Sequence, residues 1–192
     1  VISIRRARVS DAAAIGTVHV AAWRSAYPGI LDDAYLASLS EERQGGFYAR
    51  AILDRRDGHA VFVAAATGAD QPGDRLGPEP SIVGFASGGR ARRSGLAEGE
   101  IETLYVLDDF RDRGVGRRLM RAMAAHLAAV GCGSAMLWVL RDNPSRWFYQ
   151  RLGGRAVAQE VVRVAGRPVE QMALVWDPID SLLAATAPAR ER

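Results

Sequence analysis

The chain has 192 residues, enough for one domain with a sizeable core, and a single cysteine, which excludes an intrachain disulfide. A content of 48% hydrophobic and 24% charged residues fits a soluble globular protein, and no apolar run is long enough to span a bilayer. The formal charge is +3 and all 25 basic side chains are arginine, a residue suited to phosphate where it clusters and to simple solvation elsewhere.

Ile2 to Val9 reads as an opening strand, with Ile2 and Ile4 alternating against polar residues. Ser10 followed by Asp11 reads as an N-cap and an acid opening a helix through about Trp23, with apolar Ala14, Ile15, Val18 and Ala22 near helical spacing. His19 on that helix reads as a surface or partly packed residue without metal partners nearby. Tyr27-Pro28-Gly29 forces a turn. Helices are expected over Asp32 to Leu39 and Glu41 to Leu53, the second capped by Ser40 with Glu41 and Glu42 suiting the helix dipole. Ala60 to Ala66 and Ser81 to Ser87 read as strands around an exposed loop, Thr67 to Pro80, and Gly88 to Gly99 as another loop. Glu100 to Val106 is a strand and Val115 to Val130 an amphipathic helix, with Leu119, Met123, Leu127 and Val130 on its apolar side. His126 lies at the edge of that stripe and reads as packing. Ala135 to Leu140 is a buried strand, Ser145 to Leu152 a short helix, and Arg155 to Val164 with Val169 to Trp176 a closing hairpin. Ser181 to Arg192 reads as a tail, frayed or helical.

The informative stretch is Glu100 to Met120. Arg111-Asp112-Arg113-Gly114-Val115-Gly116 opens a helix with arginines in its first turn, where the macrodipole already makes the end positive. Added positive charge there makes sense if an anion binds. Gly114 and Gly116 leave room for that anion to approach backbone N–H groups. A phosphorylated ligand is the first functional expectation. No Gly-x-x-x-x-Gly-Lys-Ser/Thr loop is present, and no Gly-x-Gly-x-x-Gly follows a strand.

Arg111-x-x-Gly114-x-Gly116 resembles the pyrophosphate-binding motif of the GNAT (Gcn5-related N-acetyltransferase) superfamily. A second block at the expected distance strengthens the resemblance: Trp138 to Asn143, then Phe148-Tyr149-x-x-Leu152-Gly153. Together they cover roughly the C-terminal half. The resemblance implies an α/β fold with a mixed, mostly antiparallel central sheet and helices on both faces, in the order β-α-α-β-β-β-α-β-α-β-β. It places one domain over residues 1–178 and a tail over 179–192. It implies direct transfer of an acetyl group from acetyl-CoA to a primary amine, with no metal and no enzyme nucleophile.

By the same resemblance, Arg111, Arg113, Gly114, Val115, Gly116 and Arg117 surround the pyrophosphate. Leu104, Tyr105 and Val106 hold the pantetheine through backbone groups, and Asn143 binds that arm or fixes the following helix. Tyr149 is the expected general acid toward the thioester sulfur, or else a packing aromatic. Glu100 is the first candidate base and Glu102 the second; either equally fits a solvent-facing or arginine-neutralising role. Trp23 and Tyr27, in a Trp-x-x-x-Tyr-x-Gly-Ile segment similar to one bacterial branch, wall the acceptor site or form a hydrophobic corner. Gly154 departs from the pattern, since an aromatic is common there, and Asp108 and Asp109 place two acids before the phosphate site.

Two other classes stand against this reading: a catalytically silent GNAT fold that binds or senses acyl-CoA, and a basic nucleic-acid binder. The second lacks any zinc spacing, helix-turn-helix pattern or long basic tail. Neither nucleic acid nor membrane is an expected partner, and the assembly state is open, a homodimer included. Arg5, Arg6 and Arg8 are followed by Asp11 rather than a long apolar region, so a cytoplasmic location is the expectation. Cys132, flanked by glycines and without a base, reads as a structural thiol.

Overall fold

The computed structural model describes residues 1–72 and 79–188. Part of the expected loop from Thr67 to Pro80, and the last four residues of the expected tail, lie outside the described residues.

Strand β1 (Ile2–Arg6) leads into helix α1 (Ala12–Ala26). The start of α1 is organised by Asp11 and not by Ser10. The Asp11 carboxylate accepts from the Arg8 backbone N–H at 2.7 Å and from both Arg5 guanidinium nitrogens at 2.7 and 2.9 Å, tying strand to helix. Helices α2 (Asp33–Ser38) and α3 (Glu41–Leu53) follow, and Ser40 caps α3 by accepting from Arg43 N–H. Strands β2 (Ala60–Ala66) and β3 (Ser81–Arg90) come next, β3 running three residues past its expected end. Then come β4 (Gly99–Val106), α4 (Val115–Ala129), β5 (Ala135–Leu140), α5 (Ser145–Arg151), β6 (Arg155–Val164) and β7 (Arg167–Trp176). Residues 180–185 form a last helix, α6 (Asp180–Ala185), the helical of the two forms expected for this stretch, with Leu182 fully buried in the core against α4.

Among the described residues the sheet has seven strands in the order β1-β2-β3-β4-β5-β7-β6. All neighbours are antiparallel except β4 and β5. On one face α1 and α3 lay Ile15, Val18 and Tyr48 over Val61, Val63 and Phe85. On the other, α4 lays Leu119, Met123 and Leu127 over Ala64, Val83 and Ala86. Burying each such large side chain contributes roughly 1.5–3 kcal/mol relative to exposure. No described helix is long and apolar enough to cross a membrane.

Two irregularities position the site. Strands β4 and β5 pair only at Gly99–Ala135 and Glu100–Met136, then diverge. Between β3 and β4 the register shifts: Ser87 pairs with Thr103 and Gly88 with Ile101, so Glu102 is an extra residue with no partner on β3. A bulge of this kind bends its strand and re-aims the side chain it carries.

Candidate active site

The divergence of β4 from β5 opens a cleft of about 560 Å³. Beyond Glu100, the edge of β4 that faces β5 is released from pairing, so its N–H and C=O groups can bind an extended ligand as an added strand. Leu104, Tyr105 and Val106 line the cleft on this edge. The Tyr105 ring packs between His19, Phe85 and Trp23 at centroid distances of 5.3, 5.6 and 6.4 Å.

The loop into α4 is held in an unusual backbone shape. Asp112 has φ 58° and Gly114 φ 74°, both left-handed. That conformation costs an ordinary L residue about 1–2 kcal/mol, which Gly114 avoids. The turn leaves the first N–H groups of α4 at the cleft, where Gly114, Val115 and Gly116 all lie. The four arginines of this region separate in space. Arg111 and Arg117 line the cleft; Arg117 Nη2 donates to the Ala187 carbonyl, and its buried Nε has no partner among the described residues. Arg113 instead stacks over Phe110 at 5.1 Å and faces Asp70, and Arg118 donates to the Ile2 carbonyl at 3.0 Å. Asp108 pairs with Arg111 at 2.9 Å and accepts from Ser25 Oγ at 2.5 Å, so it competes for one of the two arginines that line the cleft.

The two glutamates of β4 also separate, although both reach Arg92. Glu100 is buried at 3% exposure, and its carboxylate is occupied by Arg92, at 2.6 Å from Nη2 and 3.2 Å from Nε, and by the Arg92 backbone N–H at 3.1 Å. It does not line the cleft. Glu102, on the bulge, does. It lies 3.5 Å from His59 Nε2 and 3.7 Å from Arg92 Nε. Burial pushes the Glu102 carboxyl up, but the His59 hydrogen bond and the Arg92 and His59 charges outweigh it and hold the group below its usual value. The same hydrogen bond raises His59 against the effect of burial. Glu102 is therefore ionised at neutral pH and able to accept a proton. His59 comes from the turn just before β2 and carries no local sequence signal for this role.

Tyr149 lines the cleft from α5 and is 7% exposed. Burial, and secondarily Tyr27, raises its phenol above the ordinary value, so it stays protonated as a donor. Its neighbour Phe148 packs at 5.3 Å, ring to ring, and also lines the cleft beside Gly116. The departure at Gly154 has a structural counterpart: the indole of Trp176 fills that space and donates to the Leu152 carbonyl at 2.9 Å. A Cβ on residue 154 would stand 2.8 Å from that ring.

Asn143 does two things at once. Its Oδ1 accepts from Ser145 N–H at 2.9 Å, starting α5, and its Nδ2 donates to Tyr27 Oη at 3.3 Å. Tyr27 and Trp23 line the cleft, their rings edge-on at 4.9 Å. His19 is buried, not at the surface: it bonds Tyr48 Oη at 3.0 Å and stacks on Trp23 at 5.1 Å, and burial lowers its pKa to about 4. Asp112, Ser145, Arg151 and Gln171 also reach the cleft and were not singled out from the sequence. Among the described residues no group of acidic, histidine or cysteine side chains could hold a metal ion.

Known proteins share this fold. The family model of FR47-like protein matches residues 86–164, which span β4, α4, β5 and α5. The uncharacterized N-acetyltransferase YuaI of Bacillus subtilis (strain 168) is 32% identical over 184 residues, covering 94% of this chain and 96% of that protein. The chain belongs to the GNAT N-acetyltransferase superfamily. Solved structures agree on the GNAT fold. PaiA N-acetyltransferase from Thermoplasma acidophilum, in complex with coenzyme A, superposes with a TM-score of 0.64 at 18% identity, over 90% of this chain and 98% of that one. YncA from Salmonella typhimurium, with its cofactor acetyl-CoA, gives 0.62 at 19% identity, over 92% and 93%.

Proposed function

We propose that this GNAT acetyltransferase moves an acetyl group from acetyl-CoA directly to a primary amine, in the cleft between β4 and β5. The observation that carries the reading is that one cleft combines an unpaired strand edge, a glycine-bearing helix start flanked by Arg111 and Arg117, a buried phenol and an ionised carboxylate. The α4 N-terminus, Arg111 and Arg117 would take the pyrophosphate, and the edge of Leu104 to Val106 the pantetheine arm. The known relatives with coenzyme A or acetyl-CoA bound support this assignment.

Acetyl-CoA supplies an acetyl group already activated as a thioester. An alkyl ammonium, with a pKa of about 10, has no lone pair, so the acceptor must first lose a proton. Glu102 draws that proton off on its way to solvent, directly or through water, without retaining it, since the carboxyl is held below its usual value; His59 and Arg92 keep the carboxylate oriented. Glu100 is already saturated by Arg92 and does not take this role. Tyr149 donates a hydrogen bond where negative charge gathers on the departing sulfur. Because its pKa lies above that of a thiol, about 8.5 in the unperturbed case, outright proton loss from the phenol is unfavourable, and charge stabilisation is its contribution.

The test is binding and turnover together. Acetyl-CoA at a hundredfold excess over its dissociation constant should stabilise the fold by about 2.7 kcal/mol. A melting curve unmoved by millimolar acetyl-CoA or CoA would remove this reading.

A further inference from the structure

The acceptor side of the cleft has a composition of its own. Trp23, Ala26, Tyr27 and Leu31 come from the end of α1 and the turn after it, and Val162 and Val164 from β6. These two walls are packed against each other. Tyr27, Leu31, Leu36 and Val169 form one buried cluster, with Val162, Val164 and Tyr35 against it. That cluster closes the far end of the cleft with apolar side chains. The Trp23 ring meets Tyr27 and Tyr35 edge-on, at 4.9 and 6.5 Å, which fixes its plane.

Charge is sparse in the same region. Among the described residues, the carboxylates lining the cleft are Glu102 and Asp112. Asp112 belongs to the left-handed turn before α4, beside the glycines assigned above to the pyrophosphate. Glu102 is therefore the acid left to face an acceptor. Shared already with His59 and Arg92, that carboxylate offers counter-charge to one ammonium at most. A second ammonium on the same molecule would be desolvated against valine, leucine and tyrosine without a counter-charge. Aromatic faces, by contrast, favour a single cation and the apolar body that carries it. The volume is restrictive as well, because the cleft of about 560 Å³ also has to receive the acetylated pantetheine.

We propose that the acceptor is a small primary monoamine with a compact apolar or aromatic body. This deepens the acetyl-transfer reading and rests on it. The ammonium sits toward Glu102, and the body lies against the apolar end of the cleft that Trp23, Tyr27, Val162 and Val164 form together. A polyamine, an aminosugar and a peptide N-terminus are the competing classes.

The test measures thiol release from acetyl-CoA with 2-phenylethylamine, spermidine, kanamycin and a tetra-alanine peptide, alongside calorimetric titration of acetyl-CoA. The expected result is a kcat/KM for 2-phenylethylamine at least about tenfold above every other acceptor. A second arm uses Val164→Asp, at a half-buried position near the end of β6. It adds a carboxylate to the apolar wall, and should shift preference from 2-phenylethylamine toward 1,4-diaminobutane by about tenfold or more while acetyl-CoA affinity is unchanged. Preference of the wild-type protein for spermidine, kanamycin or the peptide overturns the proposal and leaves acetyl transfer standing. So does tight acetyl-CoA binding without turnover of 2-phenylethylamine. Failure of acetyl-CoA to bind overturns the functional reading itself, and this inference with it.

Discussion

At the scale of single residues, the site depends on which of two similar groups faces the cleft. Glu100 and Glu102 are two positions apart and both reach Arg92, yet one is sealed behind its ion pair and the other opens on the cavity. Their amide variants should therefore fail differently. Glu102→Gln should lower single-turnover acetylation by about 10²-fold or more, with acetyl-CoA affinity retained. Glu100→Gln should leave that rate near wild type and lower the melting temperature, since it weakens a buried ion pair worth about 1 kcal/mol when one partner is as exposed as Arg92. A single-turnover rate loss larger in Glu100→Gln would reverse the assignment. Tyr149→Phe keeps the ring and removes only the donor. It should slow single-turnover acetylation by about 10²-fold without changing the fold. Equal rates would return Tyr149 to a packing role beside Phe148.

At the scale of elements, the proposed anion site lies at α4 because of how that helix begins. Its first turn has no acidic side chain, and Gly114 turns the chain in a left-handed conformation just before Val115. Gly116 faces the ring of Phe148, with room for a Cβ at 3.4 Å and little beyond it. Gly116→Val should fold, because its backbone is ordinary helix, but the added methyls should crowd the N–H groups that meet phosphate. The expected outcome is at least about tenfold weaker acetyl-CoA binding by calorimetry, with a melting temperature of the free protein close to wild type. Unchanged affinity would place the anion elsewhere. On the opposite side of the cleft, α5 is fixed by Asn143 at its start and by Trp176 at its end, and this holds Tyr149 in place.

At the scale of the whole molecule, two histidines make stability depend on pH in opposite senses. His19 is buried neutral with a pKa of about 4 against an unfolded value of 6.5. The unfolded chain therefore binds more protons between those values. The stabilisation is present above pH 6.5 and is lost as pH falls toward 4, by about 2 kcal/mol between pH 7 and pH 5. His59 is raised by Glu102, so its contribution is complete below the unfolded value and is lost as pH rises through the folded one. Denaturant titration should show wild type weaker at pH 5 than at pH 7. The loss should steepen in His59→Gln and shrink in His19→Gln. A His19→Gln variant with the same pH dependence as wild type would rule out His19 as its source.

Much of this was legible in the chain itself. Strands β2 and β5 and helix α3 follow from short-range pattern, alternation and capping, because those signals are local and survive packing. The Arg111-x-x-Gly114-x-Gly116 turn was legible for the same reason: a helix start and its N–H groups lie within a few residues. Tyr149 and Asn143 were marked by their block. What local pattern could not carry was the assembly of distant parts. The bulge that frees Glu102 depends on register with β3, and its partner His59 comes from the turn just before β2. The burial of His19 under Trp23 and Tyr48 depends on α3 crossing α1. Trp176 beside Gly154, and Leu182 completing the core under α4, come from β7 and α6. Residue types and spacings determined which elements form and where an anion can approach; only strand order, register and the parting of β4 from β5 decided which side chains face the cleft, because those are contacts between segments that local sequence does not encode.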